Sequence, residues 1–166
     1  MIREVAMSKL CAMFKIGPDV ETSIQFDLIL YENAIQFNME RCLTIEWLRR
    51  ENGFDILEFE KDLHLRLKML HALRIMHKDI KPENILYSWR FRCYVFCDFG
   101  IAEYIKEDIG ETSSTIYSGT PGFFGPEMEK LGQCLKGESL EVDLYYNDLY
   151  GWKETFKIFE GLEGMQ

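Results

Sequence analysis

Two short segments gather residues that could do chemistry. His77-Lys78-Asp79-Ile80-Lys81-Pro82-Glu83-Asn84-Ile85-Leu86 sets carboxylates, lysines and an amide close together, and Cys97-Asp98-Phe99-Gly100 follows. A third segment, Gly119-Thr120-Pro121-Gly122-Phe123-Phe124-Gly125-Pro126-Glu127, adds glycines and a hydroxyl. Carboxylate and amide oxygens are hard ligands of the kind Mg²⁺ takes. Soft-metal chemistry has less to work with. Cys11, Cys42, Cys93, Cys97 and Cys134 are scattered without a CxxC pair, and only His64, His71 and His77 could complete a zinc site. An odd, dispersed set of cysteines fits reduced thiols in an intracellular, cytoplasmic protein better than a disulfide framework.

Taken together, in order, with Asn84 five residues after Asp79, the three segments resemble the eukaryotic protein kinase family in its H-R-D-x-x-x-x-N, D-F-G and A-P-E elements. The resemblance implies ATP and Mg²⁺ as cofactors. Asp98 and Asn84 would hold the metal ions that bridge the nucleotide phosphates, and Asp79 would accept the proton of the substrate hydroxyl. Lys81 would place a positive charge beside the transferred phosphoryl group. Met39, Glu40 and Cys42 would form the hinge against the nucleotide, with Met39 at the gatekeeper place. Lys81, Glu83, Asn84, Leu86 and Asp98 would supply further nucleotide contacts. Lys81 and Glu83, with Thr120, resemble a serine/threonine kinase rather than a tyrosine kinase, so the implied partner is a protein bearing a Ser or Thr hydroxyl. Asp148-Leu149-Tyr150-Gly151-Trp152 resembles the start of the central large-lobe helix, whose Asp accepts backbone hydrogen bonds from the catalytic loop; Asp143 is the alternative. Glu4 falls in the helix that matches helix C, either paired with the family's strand lysine or simply solvated.

The departures matter as much. No glycine-rich loop and no V-A-I-K lysine precede the helix at Ile2, and the chain stops at Gln166 after one helix. The resemblance therefore implies an incomplete domain, with a partial small lobe over residues 1–42 and a partial large lobe over 43–166, poorly active alone and open to a partner chain that completes the small lobe. Lys78 replaces the usual Arg and lacks its bidentate fork. No Arg follows Glu127 to pair with it. Two readings follow: a serine/threonine kinase, or a catalytically inactive kinase-like binding or scaffold protein. Survival of Asp79, Asn84 and Asp98 favours the first, and the absent lysine and glycine-rich loop the second. A small-molecule phosphotransferase is a third, weaker reading.

These residues need elements to position them. Ile2 to Phe14 reads as a helix with Ala6, Leu10 and Met13 at helical spacing, ended by Gly17-Pro18. Period-two alternation from Ile24 to Leu30 and from Ile35 to Met39 reads as a β-hairpin. Thr44 can cap a short helix to Arg50. Phe59, Leu63, Leu67 and Leu70 mark a longer helix ending before Ile75. Ile85–Tyr87 and Tyr94–Phe96 read as short strands, and Glu103 to Gly125 as a long surface loop rich in hydroxyls. In the last helix Leu149, Trp152, Phe156 and Phe159 form an apolar stripe for the core, which the chain's end would leave underprotected. The sum is an α+β fold.

The 166 residues suit one domain, and 47% hydrophobic with 28% charged residues is ordinary for a globular protein. Residues 1–97 are neutral, with 14 Lys and Arg against 14 Asp and Glu; residues 98–166 hold 5 Lys against 14 acids. An acidic half argues against nucleic acid as a partner, and no stretch has the apolar length of a membrane span.

Overall fold

The computed structural model describes residues 2–18, 20–21, 38–105, 113–114, 116–134, 140 and 142–163. Helix α1, Ile2–Met13, forms as expected, but it buries Met7, Cys11 and Ala12, while Ala6 and Met13 face solvent. Both stripes are apolar, so spacing alone does not choose between them. The choice is made at the helix end, where the Phe96 amide donates to Ile16 O at 2.8 Å and Arg66 Nε donates to Lys15 O at 2.9 Å. The left-handed residue that turns the chain here is Lys15, at φ 56°, rather than Gly17. Strand β1, Val20–Glu21, then pairs antiparallel with β2, Asn38–Met39. The rest of the expected hairpin lies outside the described residues.

Strand β3, Leu43–Thr44, runs into helix α2, Ile45–Arg50, which Thr44 caps by accepting the Trp47 amide on its hydroxyl. Helix α3, Ile56–Ala72, starts at Asp55, whose Oδ1 accepts the amides of Leu57 and Glu58 at 2.8 and 3.1 Å. Such caps satisfy amides that the helix itself leaves without acceptors. The predicted stripe Phe59, Leu63, Leu67 and Leu70 is buried, and Arg66 joins it. This buried cation donates to Lys15 O and to Asp62, so no bare charge is left in the core.

Strand β4, Ile75–Met76, follows, then a 3₁₀ turn over Pro82–Asn84, then the hairpin of β5, Ile85–Ser88, and β6, Cys93–Phe96. The sheet order is β3-β5-β6. Two of the described parts of the region read as a long loop are strands. Strand β7, Glu103–Tyr104, pairs with β4, and β8, Ser113–Ser114, pairs with β9, Val142–Asp143. Both partners are distant in sequence, so local patterning carries no sign of them. Helix α4, Pro126–Gln133, separates β8 from β9.

Helix α5, Leu144–Glu163, begins four residues before Asp148, with Asp143 Oδ1 accepting the Tyr145 and Tyr146 amides. Its buried side is Leu144, Asn147, Asp148, Gly151, Thr155 and Phe159, whereas Leu149 points outward at 37% exposure. Phe159 is not underprotected. Its ring packs within 5.1 Å of Phe59 and 5.6 Å of Phe54, in a cluster that includes Tyr94. Trp152 and Phe156 are half-buried and stack on one another. The architecture is α+β, with α1, α3, α5 and the three-stranded sheet sharing one core.

Candidate functional site

The site is assembled where β4, the β5–β6 hairpin and α5 meet. Asp148 on α5 is buried and its carboxylate accepts three hydrogen bonds: from the Lys78 amide at 2.7 Å, the His77 amide at 2.8 Å and His71 Nε2 at 3.1 Å. Lys78 has φ 71°, a left-handed conformation that costs a residue with a side chain about 1–3 kcal/mol. The charged acceptor on its amide offsets that strain. Of the two aspartates considered for this role, Asp148 takes it and Asp143 caps the helix.

Asp79 follows directly. Its Oδ1 accepts the Thr120 hydroxyl at 2.7 Å, and its Oδ2 lies 2.8 Å from Lys81 Nζ and 3.0 Å from Asn84 Nδ2. Lys81 Nζ also donates to Thr120 Oγ1 at 2.8 Å, closing a ring of three side chains. A carboxylate offers about four lone-pair sites, so the three bonds leave about one for an incoming hydroxyl. Burial pushes the Asp79 carboxyl up. The hydrogen bonds from Lys81 and Thr120, with the charge of Lys81, outweigh it and hold the group below the usual carboxylate range. It is therefore ionised at neutral pH.

Asn84 and Asp98 come together through the hairpin. The register Ile85↔Phe96 sets Asn84 opposite Cys97, whose amide donates to Asn84 O at 2.9 Å, and Asp98 is the next residue. Both hydrogen bonds of the Asn84 side chain use its nitrogen, on Asp79 O and Oδ2, which keeps the amide oxygen for another partner. Asp98 is exposed, at φ 60°, with Oδ1 accepting the Gly100 amide at 3.3 Å. Among the described residues no three His, Cys, Asp or Glu side chains gather as a metal cage. An amide oxygen and one carboxylate fit Mg²⁺ all the same, because that ion usually takes one or two carboxylates plus substrate phosphates.

The remaining candidates are placed less directly. Glu40 turns its carboxylate to the β5–β6 turn, accepting from Ser88 Oγ at 2.8 Å and the Arg90 amide at 2.9 Å, so a hinge contact from it would use its backbone. Met39 is in β2, and Cys42 helps line a surface cavity of about 480 Å³ with Arg41, Leu43, Thr44, Trp47 and Trp89. None of Asp79, Lys81, Asn84 or Asp98 lines that cavity. Leu86 is half-buried in β5, paired with Val95, and Glu83 is exposed. Glu4 is half-buried, and a Cβ built on Gly100 would lie 3.9 Å from its carboxylate. Burial, then the Asp98 charge, pushes the Cys97 thiol up to about 12, with Lys81 opposing. That is the inert, protonated form.

His77 is fully buried, and burial lowers its pKa against the raising effect of Asp148. As the neutral ring it donates from Nε2 to Cys97 O at 3.0 Å and accepts the Asp79 amide on Nδ1 at 3.4 Å. Gly119, at φ 105°, passes so close to the loop that carries Asp79 that a Cβ would fall 2.7 Å from Lys78 O. Gly151 is equally constrained, since its Cβ would fall 2.6 Å from Phe123 O and 2.8 Å from Ile80 O. Sequence reasoning missed Asn147, buried on α5, whose Oδ1 accepts the Gly125 amide at 2.9 Å and so fixes the start of α4. It also missed the partner of Lys78, which is Glu103 at 3.0 Å. Position alone marks neither residue. Glu127 is exposed and forms no ion pair among the described residues.

Comparison with known proteins agrees with this geometry. The protein kinase domain family matches residues 27–145. The chain is 31% identical over 109 residues to a non-specific serine/threonine protein kinase of Drosophila melanogaster, covering 63% of this chain and 16% of that protein. It is 39% identical over 84 residues to the serine/threonine-protein kinase par-4 of Caenorhabditis elegans, covering 51% and 12%. Against mitogen-activated protein kinase 15 of Xenopus laevis the identity is 29% over 154 residues, covering 75% and 26%. The chain thus spans about a quarter or less of these relatives' lengths. No described helix is long and apolar enough to cross a membrane. The order of the three motifs, the Asp148 anchor and the family match lead to one conclusion: this chain belongs to the protein kinase domain family, with its α+β fold.

Proposed function

We propose that the chain carries the phosphotransfer site of a serine/threonine protein kinase, moving the γ-phosphoryl group of ATP to a protein hydroxyl. The observation that carries this reading is the closed ring of Asp79, Lys81 and Thr120 with Asn84 against it. In it Asp79 takes the proton of the attacking hydroxyl on its spare lone pair. Lys81 holds the carboxylate in place and keeps a positive charge beside the transferred group. Asn84 and Asp98 would hold Mg²⁺, which when bound supplies charge neutralisation for the phosphate oxygens. The hinge from Met39 to Cys42, with Lys81, Glu83 and Leu86, would contact the nucleotide. Residues 1–42 are read as part of a small lobe and 43–166 as part of a large lobe. The five free cysteines support a reducing, cytoplasmic setting.

Titration of a fluorescent ATP analogue, with and without Mg²⁺, tests the metal side of this reading. Binding by the chain should strengthen with Mg²⁺, and Asp98→Ala should abolish the metal dependence. Equal Mg²⁺ dependence in parent and variant would remove Asp98 from the metal site.

A further inference from the structure

Lys78 is held at its amide and at its ammonium. Its amide donates to Asp148, its carbonyl lies against Gly119, and its buried ammonium lies 3.0 Å from Glu103 Oε2. The side chain is 5% exposed and that of Glu103 33%. A buried ammonium without a counterion is strongly destabilising. Here the counterion is delivered by topology. Pairing of β7 with β4 in the register Met76↔Glu103, continued by the Ile105 amide on Arg74 O, brings Glu103 to the entrance of the catalytic loop.

In kinases switched by loop phosphorylation, a phosphate pairs with a cation and orders the loop. Lys78 immediately precedes Asp79 in sequence, and its carbonyl lies against Gly119 in the segment from Ile116 to Phe124, which supplies Thr120 to Asp79. We propose that Glu103 is a positioning residue, the resident counterion of Lys78, which fills in cis the place of a loop phosphate and sets the segment from Ile116 to Phe124 without modification. The proposal deepens the kinase reading of this site. Its readouts are amide exchange and response to an anion, so a chain that transferred no phosphate would leave the test intact.

The experiment uses the 166-residue chain, Glu103→Gln and Glu103→Asp, with hydrogen exchange over residues 116–124 and thermal melts, each with and without inorganic phosphate. The parent should exchange slowly and ignore phosphate. Glu103→Gln should exchange faster by at least about tenfold, the mark of a local opening made easier. Phosphate should slow it again and raise its melting temperature, while Glu103→Asp should stay near the parent. A parent slowed by phosphate, or a Glu103→Gln protein exchanging like the parent, overturns the proposal. If Glu103→Gln does not fold, the double variant Lys78→Met with Glu103→Leu decides. Recovery of a cooperative melt locates the fault in the uncompensated ammonium, and a double variant as unstable as the single one contradicts the proposal.

Discussion

The two oxygens of Asp148 hold the backbone of the two residues that precede Asp79, His77 at 2.8 Å and Lys78 at 2.7 Å, from a position seventy residues further along the chain. That anchor aims Asp79, because Lys78 immediately before it is pinned in a left-handed conformation that it would otherwise leave.

Asp148→Ala should therefore cost stability and activity together. Two buried amides lose their acceptor, at about 1–3 kcal/mol each. Urea denaturation should show a fall of about 2–6 kcal/mol, with Asp148→Asn losing less because one carbonyl oxygen remains. A variant as stable as the parent would show that the loop keeps its shape without the carboxylate.

Thr120 joins Lys81 in lowering the proton affinity of Asp79 against its burial. The folded-state pKa of Asp79 is depressed, so its stabilising contribution is present above the unfolded value and lost as pH falls through the folded value. Thr120→Ala deletes one of the bonds that lower it, so the acid limb of the pH–rate profile should move to higher pH. Thr120→Ser should hold the parent's limb. Profiles of kcat/KM against pH for the three proteins check this, and an unmoved limb in Thr120→Ala would place the control elsewhere.

Cysteine chemistry at the site should be slow. Burial foremost pushes both Cys97 and Cys42 up to about 12, Cys97 helped by Asp98 and Cys42 by Glu40. Both should resist iodoacetamide at pH 7.5 in the folded protein and label readily in urea, as mass spectrometry of the digests would read. Rapid labelling of Cys97 in the native state would mean a far more accessible thiolate than the packing allows.

Much of this is legible in the sequence. The stripe Phe59, Leu63, Leu67, Leu70 and the Thr44 and β5–β6 assignments rest on local periodicity and capping, and they hold. The motifs located Asp79, Lys81, Asn84 and Thr120, which the fold brings within hydrogen-bond reach. What escaped was non-local. Helix α1 has two apolar stripes, and only its tether to β6 and α3 picks the one that is buried. Leu149 fits the helical stripe by count, yet the buried side of α5 is chosen by Asp148 and Gly151, which must reach the catalytic loop. Glu103 and Asn147 read as ordinary polar residues until β7 and α5 carry them to their partners.

The most direct measurement is transfer of labelled phosphate from ATP to a serine/threonine peptide library by the chain and by Asp79→Asn, with the affinity for the nucleotide measured alongside. If Asp79 is the proton acceptor, as proposed, its loss should lower turnover by about 10²–10⁴-fold while nucleotide affinity stays within about twofold, because that role turns it to the hydroxyl and not to the nucleotide. Equal turnover in parent and variant would contradict the account.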